Sequence, residues 1–518
     1  MNIKSIPLYA ALIIFFGIIV CYAGETGTTS VVVKPAPSTQ TVTTVATSTN
    51  DMDAVTEPDP IPSNSVVRIT AMVPAYEPMA PWAKLPPQEF TASGCIIDGN
   101  RILTTAHGLM PDVGVIRIQR SDGGSSCVAT VERLNYVVDL AVLKVEKISF
   151  FDGLVPLEFA DDLPSNATPV RVIGFPNGNP TASVCEGVVT DVVMKPNISD
   201  RVAPMLKLAV PNTAPGSSGS PVILDGNLIA GVVSSGDSND VFAVPASVIQ
   251  AFLAKVRLEE AGESCLMGVN FQDLVNPAMR NWKKLEPGQT GQLITKVSKT
   301  GSAYEKFMAG DVMTTVDGIP IGDDGTIALP GGRRIQCNYH FMHKFGGDTL
   351  RFSVIRNGKL MEVNVPATSP KQALDPMLSS RPSFYMYAGL IFMPLTKDLA
   401  GRLCGGEEVT ERDMRIYANS VLKTGDDSAM IVSRILPDEI TEKCEPVAGE
   451  CVKTIDGREV RDLSAIRKVI ESGKDPFIVI EFQSGSVLVF DRAEARTATA
   501  RIMRRLEIPI NYSNEVKP

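Results

Sequence analysis

The chain has only three histidines, His107, His340 and His343. Any chemistry that needs an imidazole titrating near neutral pH must use one of them. His107 ends the run Thr104-Thr105-Ala106-His107, just after the apolar residues of Arg101–Leu103. Asp139 opens a second apolar run, Asp139-Leu140-Ala141-Val142-Leu143. Further on, Pro215-Gly216-Ser217-Ser218-Gly219-Ser220-Pro221 forms a tight glycine-bearing turn that holds three serines. Each feature alone is ordinary: strand-end histidines are commonly structural, and Asp and Gly/Ser residues are common in turns. In the order His, Asp, Ser they point to nucleophilic acyl transfer. A serine hydroxyl is a weak nucleophile until an adjacent base takes its proton. An imidazole with a pKa of about 6.5 can take that proton and return it to a leaving amine. A carboxylate fixes the imidazole tautomer and stabilises the imidazolium. A glycine two positions before the serine lets backbone N–H groups converge on a developing oxyanion.

Such groups need a rigid frame, and residues 64 to 258 read as one. Short β-branched stretches are broken by Gly, Pro, Asp and Asn: Val66–Met72, Ser93–Ile97, Arg101–Thr105, Val113–Gln119, Ala141–Val145, Val170–Ile173, Gly187–Val193, Met205–Val210, Pro221–Leu224 and Leu228–Val233. Helical periodicity is nearly absent until Ala246–Glu259. Many short strands at this spacing predict a sandwich or barrels.

The segments ASGCIIDGNRILTTAHGL, DLAVLKVE and APGSSGSPVILDGNLIAGVV resemble the Deg/HtrA family of chymotrypsin-fold serine endopeptidases. VIGFPNGNPTASVCEGVV resembles the family's glycine-rich segment ahead of the active-site loop. SFYMYAGLIFMPL and AEARTATARIMRRLEIP are similar to the plant-type subgroup that carries two PDZ-like domains, so the resemblance spans about residues 64 to 512. It implies a mainly β protein: a chymotrypsin-like double β-barrel followed by two PDZ-like α+β domains. It implies His107 as general base, Asp139 as its orienting partner and Ser218 as nucleophile. Gly216 and Ser218, with Ser217 as a third, would supply oxyanion-hole amides. The spacing G-x-S-G-x-P selects Ser218 among the three serines. Ser217 replaces the family's usual Asn, and Ser220 replaces a glycine, adding bulk beside the nucleophile. No cysteine lies near the serine turn to act in its place.

The carboxy-terminal half holds two matching stretches. Gly310-Asp311-Val312-Met313-Thr314-Thr315-Val316-Asp317-Gly318 compares with Gly449-Glu450-Cys451-Val452-Lys453-Thr454-Ile455-Asp456-Gly457. Each predicts a strand pair joined by an Asp-Gly turn, and each resembles the core of a PDZ domain. Leu266, Met267, Gly268 and Val269 look like a PDZ carboxylate-binding loop, whose amides would capture a peptide terminus. Gly389-Leu390-Ile391-Phe392 stands in the corresponding place of the second, more divergent copy. Either copy could instead be a structural or assembly domain. His340 and His343 lack a third ligand, so a metal site is not expected, and neither is a cofactor.

The domains expected are a signal peptide (1–23), a Thr/Ser/Pro-rich tether (24–63), a protease domain (64–258) and two PDZ-like domains (259–375 and 376–518). Leu8 to Ala23 is uncharged and follows Lys4. That run is shorter than the ~20 residues a spanning helix needs and reads as a secretory signal, with an uncleaved anchor or lipidated Cys21 as alternatives. The expected location is periplasmic or at the cell envelope. Thr, Ser and Pro dominate residues 24–63, which have no aromatic and cannot offset their ordering entropy. A net charge of −9 excludes nucleic acid as the main partner. No nucleotide-binding motif appears, in keeping with ATP-independent action. The eight cysteines after Cys21 could pair in an oxidising compartment, with connectivity unreadable. The resemblance implies protein quality control: an endopeptidase acting on unfolded or damaged proteins, assembled as a trimer or multiple of trimers. The aromatics of the proline-rich stretch Tyr76 to Phe90, expected to be irregular, could pack on their own barrel or on a neighbouring subunit. The alternative function is a proteolytically silent PDZ chaperone or scaffold.

Overall fold

The computed structural model describes residues 63 to 516, apart from short breaks, residues 369–381 and most of 397–428. The expected signal peptide and nearly all of the tether lie outside the described residues. The body opens with a closed six-stranded barrel built from β1 (Val66–Glu77), β2 (Ala80–Ile97), β3 (Arg101–Thr104), β4 (Ile116–Arg120), β5 (Ser126–Asn135) and β6 (Leu140–Val145), in the order β1-β2-β3-β6-β5-β4. A second closed barrel follows, from β7 (Pro169–Gly174), β8 (Ser183–Pro196), β9 (Val202–Ala209), β10 (Pro221–Ile223), β11 (Ile229–Gly236) and β12 (Val241–Pro245). Helix α1 (Ala246–Arg257) then packs with the second barrel.

Alternation along the strands fills each barrel. Val67, Ile69, Ile96, Ile102, Ile118 and Leu143 are buried together in the first. A further cluster joins Val66, Leu103, Val138 and Leu140 of the first barrel to Ile173, Phe175, Ile229 and Phe252 beyond it. Closure removes free edges, and the shared apolar cluster fixes the two barrels against each other. The loops that end β3, start β6 and start β10 meet at this seam.

Two strands escaped the sequence reading, β5 and β12. β5 mixes charged and apolar residues without clean alternation, because a bulge between Val131 and Arg133 shifts its register against β6. The stretch Tyr76 to Phe90 is not irregular: β1 and β2 pair through it, with Ala75 opposite Leu85 and Tyr76 opposite Lys84. Register shifts at Val73/Ala75 and Tyr76/Glu77 absorb Pro74, Pro86, Pro87 and Pro81, and Pro78 sits in the turn between the strands, since bulges and ends are where a strand tolerates a missing N–H.

Beyond α1, a sheet with strand order Val269–Asp273, Gln292–Val297, Val312–Val316, Thr349–Arg356 and Lys359–Pro366 forms the next unit. The last unit has a three-stranded sheet (Tyr385–Tyr387, Leu390–Pro394, Met430–Ile435) and a four-stranded one (Arg458–Glu459, Val452–Ile455, Phe477–Phe482, Val487–Asp491), with helices Leu463–Ser472 and Arg492–Arg505. The two matching stretches turn alike. Asp317 and Asp456 have φ of +46° and +49°, and each is followed by a glycine at positive φ. Each aspartate donates its backbone N–H to a carbonyl of a neighbouring strand and accepts the N–H of the same residue on its side-chain Oδ1, Asp317 with Arg351 and Asp456 with Val479.

Candidate active site

Asp139 is fully buried at the mouth of β6, with φ +57°, a left-handed conformation that Asp tolerates better than most residues. Its carboxylate accepts four hydrogen bonds. The N–H groups of Ala106 and His107 donate to Oδ1 at 3.1 and 2.9 Å. The ring Nδ1 of His107 lies 2.9 Å from Oδ2. Ser234 Oγ, from β11, donates to Oδ2 at 2.5 Å. Asp139 thus orients the imidazole and also anchors the loop that carries it. The other face of the imidazole meets Phe90, edge-on at 5.8 Å between ring centres. The Phe90 ring occupies the space a side chain at Gly108 would need, 1.8 Å from where its Cβ would stand.

Ser218 is half-buried on the loop that enters β10, so solvent and substrate can reach it. The preceding residues Ala214-Pro215-Gly216-Ser217 form a turn closed by the Ser217 N–H on Ala214 O at 2.9 Å. Proline at its second position and Gly216 at φ +98° at its third are the marks of a type II turn. A Cβ at Gly216 would lie 2.5 Å from Phe175 O, so both conformation and space demand glycine. The Ser217 N–H is therefore committed within the turn. It does not join Gly216 and Ser218 as a third free amide, which departs from the expected trio. Among the described residues, the N–H groups of Gly216 and Ser218 have no protein acceptor.

Ser234 links the two halves of the site. Ser218 Oγ makes a long 3.4 Å contact to Ser234 O, while Ser234 Oγ holds Asp139. Ser93 is a second link: its N–H donates to Ser218 O at 2.7 Å and its Oγ to Gly216 O at 2.8 Å. Sequence reasoning missed both serines. Ser93 lies in the segment ASGCIIDGNRILTTAHGL, whose resemblance gave it no role, and Ser234 lies in an apolar strand with no local signal. Ser220, expected to crowd the nucleophile, points its buried Oγ instead toward Gly174, where a Cβ would come within 1.8 Å. Nearby, burial and the Asp139 charge push the Tyr136 hydroxyl up to about 12, and it donates to Leu109 O at 2.9 Å. Burial likewise raises the Cys95 thiol to about 12, leaving it protonated and inert. Cys95, Cys127, Cys185, Cys265, Cys337 and Cys451 are all unpaired.

The other two histidines lie in the next unit. His340 Nε2 is 2.9 Å from Asp317. His343 Nδ1 lies 3.0 Å from Tyr339 O, and its Nε2 lies 3.1 Å from Ser247 Oγ on α1. No metal-holding cluster occurs among the described residues.

In the loop ahead of Val269–Asp273, the Leu266 N–H is taken by Thr368 O. The Met267 and Gly268 N–H groups have no acceptor among the described residues. Gly268 has φ +67°, and a Cβ there would meet Gly301 at 2.4 Å. Among the described residues, the strand that Val269 begins pairs on one side only, with Gln292–Val297. In the last unit, by contrast, Leu390–Pro394 is paired on both sides, by Tyr385–Tyr387 and by Met430–Ile435.

Two family models match this chain. A trypsin-like peptidase domain covers residues 92–232, which include His107, Asp139 and Ser218, and a PDZ domain covers residues 375–515. The chain is 29% identical to the chloroplastic protease Do-like 2 of Arabidopsis thaliana, over 88% of its own length and 75% of the relative's. It is 28% identical to the mitochondrial protease Do-like 4 of the same plant, over 86% of this chain and 84% of that one.

Proposed function

We propose that this chain, a Deg/HtrA-type serine endopeptidase with a trypsin-like peptidase domain and a PDZ domain, cleaves unfolded or damaged proteins through Ser218, His107 and Asp139. One observation carries the residue assignment. The Ser218 turn leaves only two N–H groups unbonded, those of Gly216 and Ser218, at a seam where Asp139 fixes the His107 ring. Substrate is held so that the scissile carbonyl carbon faces Ser218 Oγ and its oxygen faces the two amides. His107 Nε2 accepts the hydroxyl proton as the C–O bond forms. Asp139 stabilises the resulting imidazolium through Nδ1, as it does in acyl-transfer triads generally. The Gly216 and Ser218 N–H groups bind the oxyanion. The imidazolium then gives its proton to the leaving amine, freeing one product and leaving an acyl-enzyme. Water attacks the ester carbon by the same route, with His107 again as base, and Ser218 is released.

In the first PDZ-like unit, the free Met267 and Gly268 amides beside an open strand edge support capture of a peptide carboxylate. In the second, the doubly paired Leu390–Pro394 strand supports a structural or assembly role. Export to a cell-envelope compartment is supported by the apolar run Leu8 to Ala23; the relatives above are named for chloroplasts and mitochondria. The trimeric assembly implied by the family resemblance is part of the same reading. A fluorophosphonate probe tests the central claim. Mass mapping should find the adduct on Ser218, and casein should be cut without added nucleotide. Absence of both adduct and cleavage would favour the silent chaperone.

A further inference from the structure

Apart from the Gly216 and Ser218 N–H groups, the backbone N–H and C=O groups from Ala214 to Ser218 are all bonded, as buried amides require. Pro215 O accepts from the Asn177 N–H at 2.6 Å, Ser217 O from the Ser220 N–H at 3.0 Å, and Ser218 O from the Ser93 N–H at 2.7 Å. Ser217 N–H goes to Ala214 O, and Gly219 N–H to Val233 O at 2.7 Å. The remaining carbonyl, Gly216 O, is held by a side chain, the hydroxyl of Ser93. Gly216 is the residue of this turn with the greatest torsional freedom. A swing of the Gly216–Ser217 peptide would pull the Ser217 N–H off Ala214 O and open the turn that sets the Gly216 and Ser218 N–H groups side by side. What opposes that swing at the oxygen end is Ser93 Oγ.

Ser93 is well placed to do so. It is fully buried on β2, in the opposite barrel from the turn. Its Oγ accepts from the Phe175 N–H at 2.9 Å, so its one proton is directed at Gly216 O at 2.8 Å. Its own carbonyl is fixed by Thr104 Oγ1 at 2.7 Å, two positions before Ala106 in the loop that Asp139 anchors. Gly219 lies against the same carbonyl, where a Cβ would come within 1.9 Å. One residue of the first barrel thus grips the two peptides on either side of the one that carries the Ser218 N–H.

We propose that Ser93 is a positioning residue for the oxyanion-binding amides: its hydroxyl on Gly216 O and its N–H on Ser218 O hold closed the turn that presents the Gly216 and Ser218 N–H groups. This rests on the assignment of Ser218 as nucleophile. The full-length protein and its Ser93→Ala variant are compared with a fluorogenic peptide and with a peptidyl trifluoromethyl ketone, whose hemiketal reports directly on oxyanion stabilisation. Ser93→Ala should lower kcat about 10- to 100-fold with KM within about twofold. The hemiketal pKa, read by fluorine NMR, should rise, while the pH inflection of kcat/KM set by His107 stays in place. Should Ser93→Ala melt below the assay temperature, Ser93→Cys carries the test, with the same changes in smaller measure because a thiol is a weaker donor. A retained kcat, or a lowered kcat with an unmoved hemiketal pKa, overturns the proposal while labelling of wild-type Ser218 leaves the nucleophile assignment standing. Wild-type protein that takes no fluorophosphonate removes that assignment and this proposal together.

Discussion

The indole of Trp82, at the tip of the β1–β2 hairpin, lies 5.9 Å from the ring of Phe384 in the last unit, tilted by 60°. Met79 joins the same apolar cluster, and Arg434 reaches Met79 O at 3.4 Å. The barrel that carries His107 and Asp139 therefore touches the carboxy-terminal unit directly. Trp82→Ala should loosen this contact by about 2 kcal/mol, the scale of one large apolar side chain. Calorimetry should then show an earlier transition for the last unit, with probe labelling of Ser218 intact. A single unshifted transition would mean the contact contributes nothing.

Ser218→Ala and His107→Ala should each abolish casein cleavage in folded protein, since nucleophile and base act as a unit. Ser220→Ala, whose hydroxyl faces Gly174, should keep both turnover and labelling. Labelling that survived Ser218→Ala and vanished in Ser220→Ala would move the nucleophile two residues on.

Asp139→Asn should lower turnover by about four orders of magnitude, because the amide favours the wrong imidazole tautomer. Ser234→Ala should do less, about tenfold, since three other donors still hold the carboxylate. Near-normal turnover in Asp139→Asn would point to another carboxylate.

Stability should fall in mild acid through His343. Burial holds its pKa down to about 4 against an ordinary 6.5, with His340 and Lys344 adding repulsion. Ser247, Tyr339 O and the Tyr339 ring, 4.7 Å away, complete its surroundings. Between those two pH values the unfolded chain binds the proton and the folded chain does not. Stability is therefore full above about 6.5 and declines as pH falls toward 4, by at most about 1.4 kcal/mol per unit. The melting temperature should drop between pH 7 and pH 5, and His343→Gln should flatten that drop. An equal drop in the variant would assign the acid sensitivity elsewhere.

Light scattering of residues 64 to 518 should give a trimeric or larger mass. Removing residues 376 to 518 should reduce it. A monomer at micromolar concentration would sink the assembly reading.

The candidate residues His107, Asp139 and Ser218 could be picked out because each sits at the end of a strand with a strong apolar pattern, and the structure sets Asp139 against the His107 ring. Ser93 and Ser234 were not legible, because their roles depend on atoms brought across the seam from distant parts of the chain. The hairpin through Pro74, Pro78, Pro86 and Pro87 defeated the local rule that proline ends a strand, since pairing with a partner strand and well-placed bulges outweighed it. The edge pairing of Leu390–Pro394 was equally hidden: the residues of Tyr385–Tyr387 carry no sign of which strand they will join.

The groups at the seam come from two closed barrels that do not share a sheet. Turnover is therefore a gauge of how the barrels register against each other. A small slip between them would separate Ser93 from Gly216 and Ser234 from Asp139 while leaving every strand paired. Activity would fade before circular dichroism changed, and a chain cut between β6 and β7 would regain it only when its two halves reassociated.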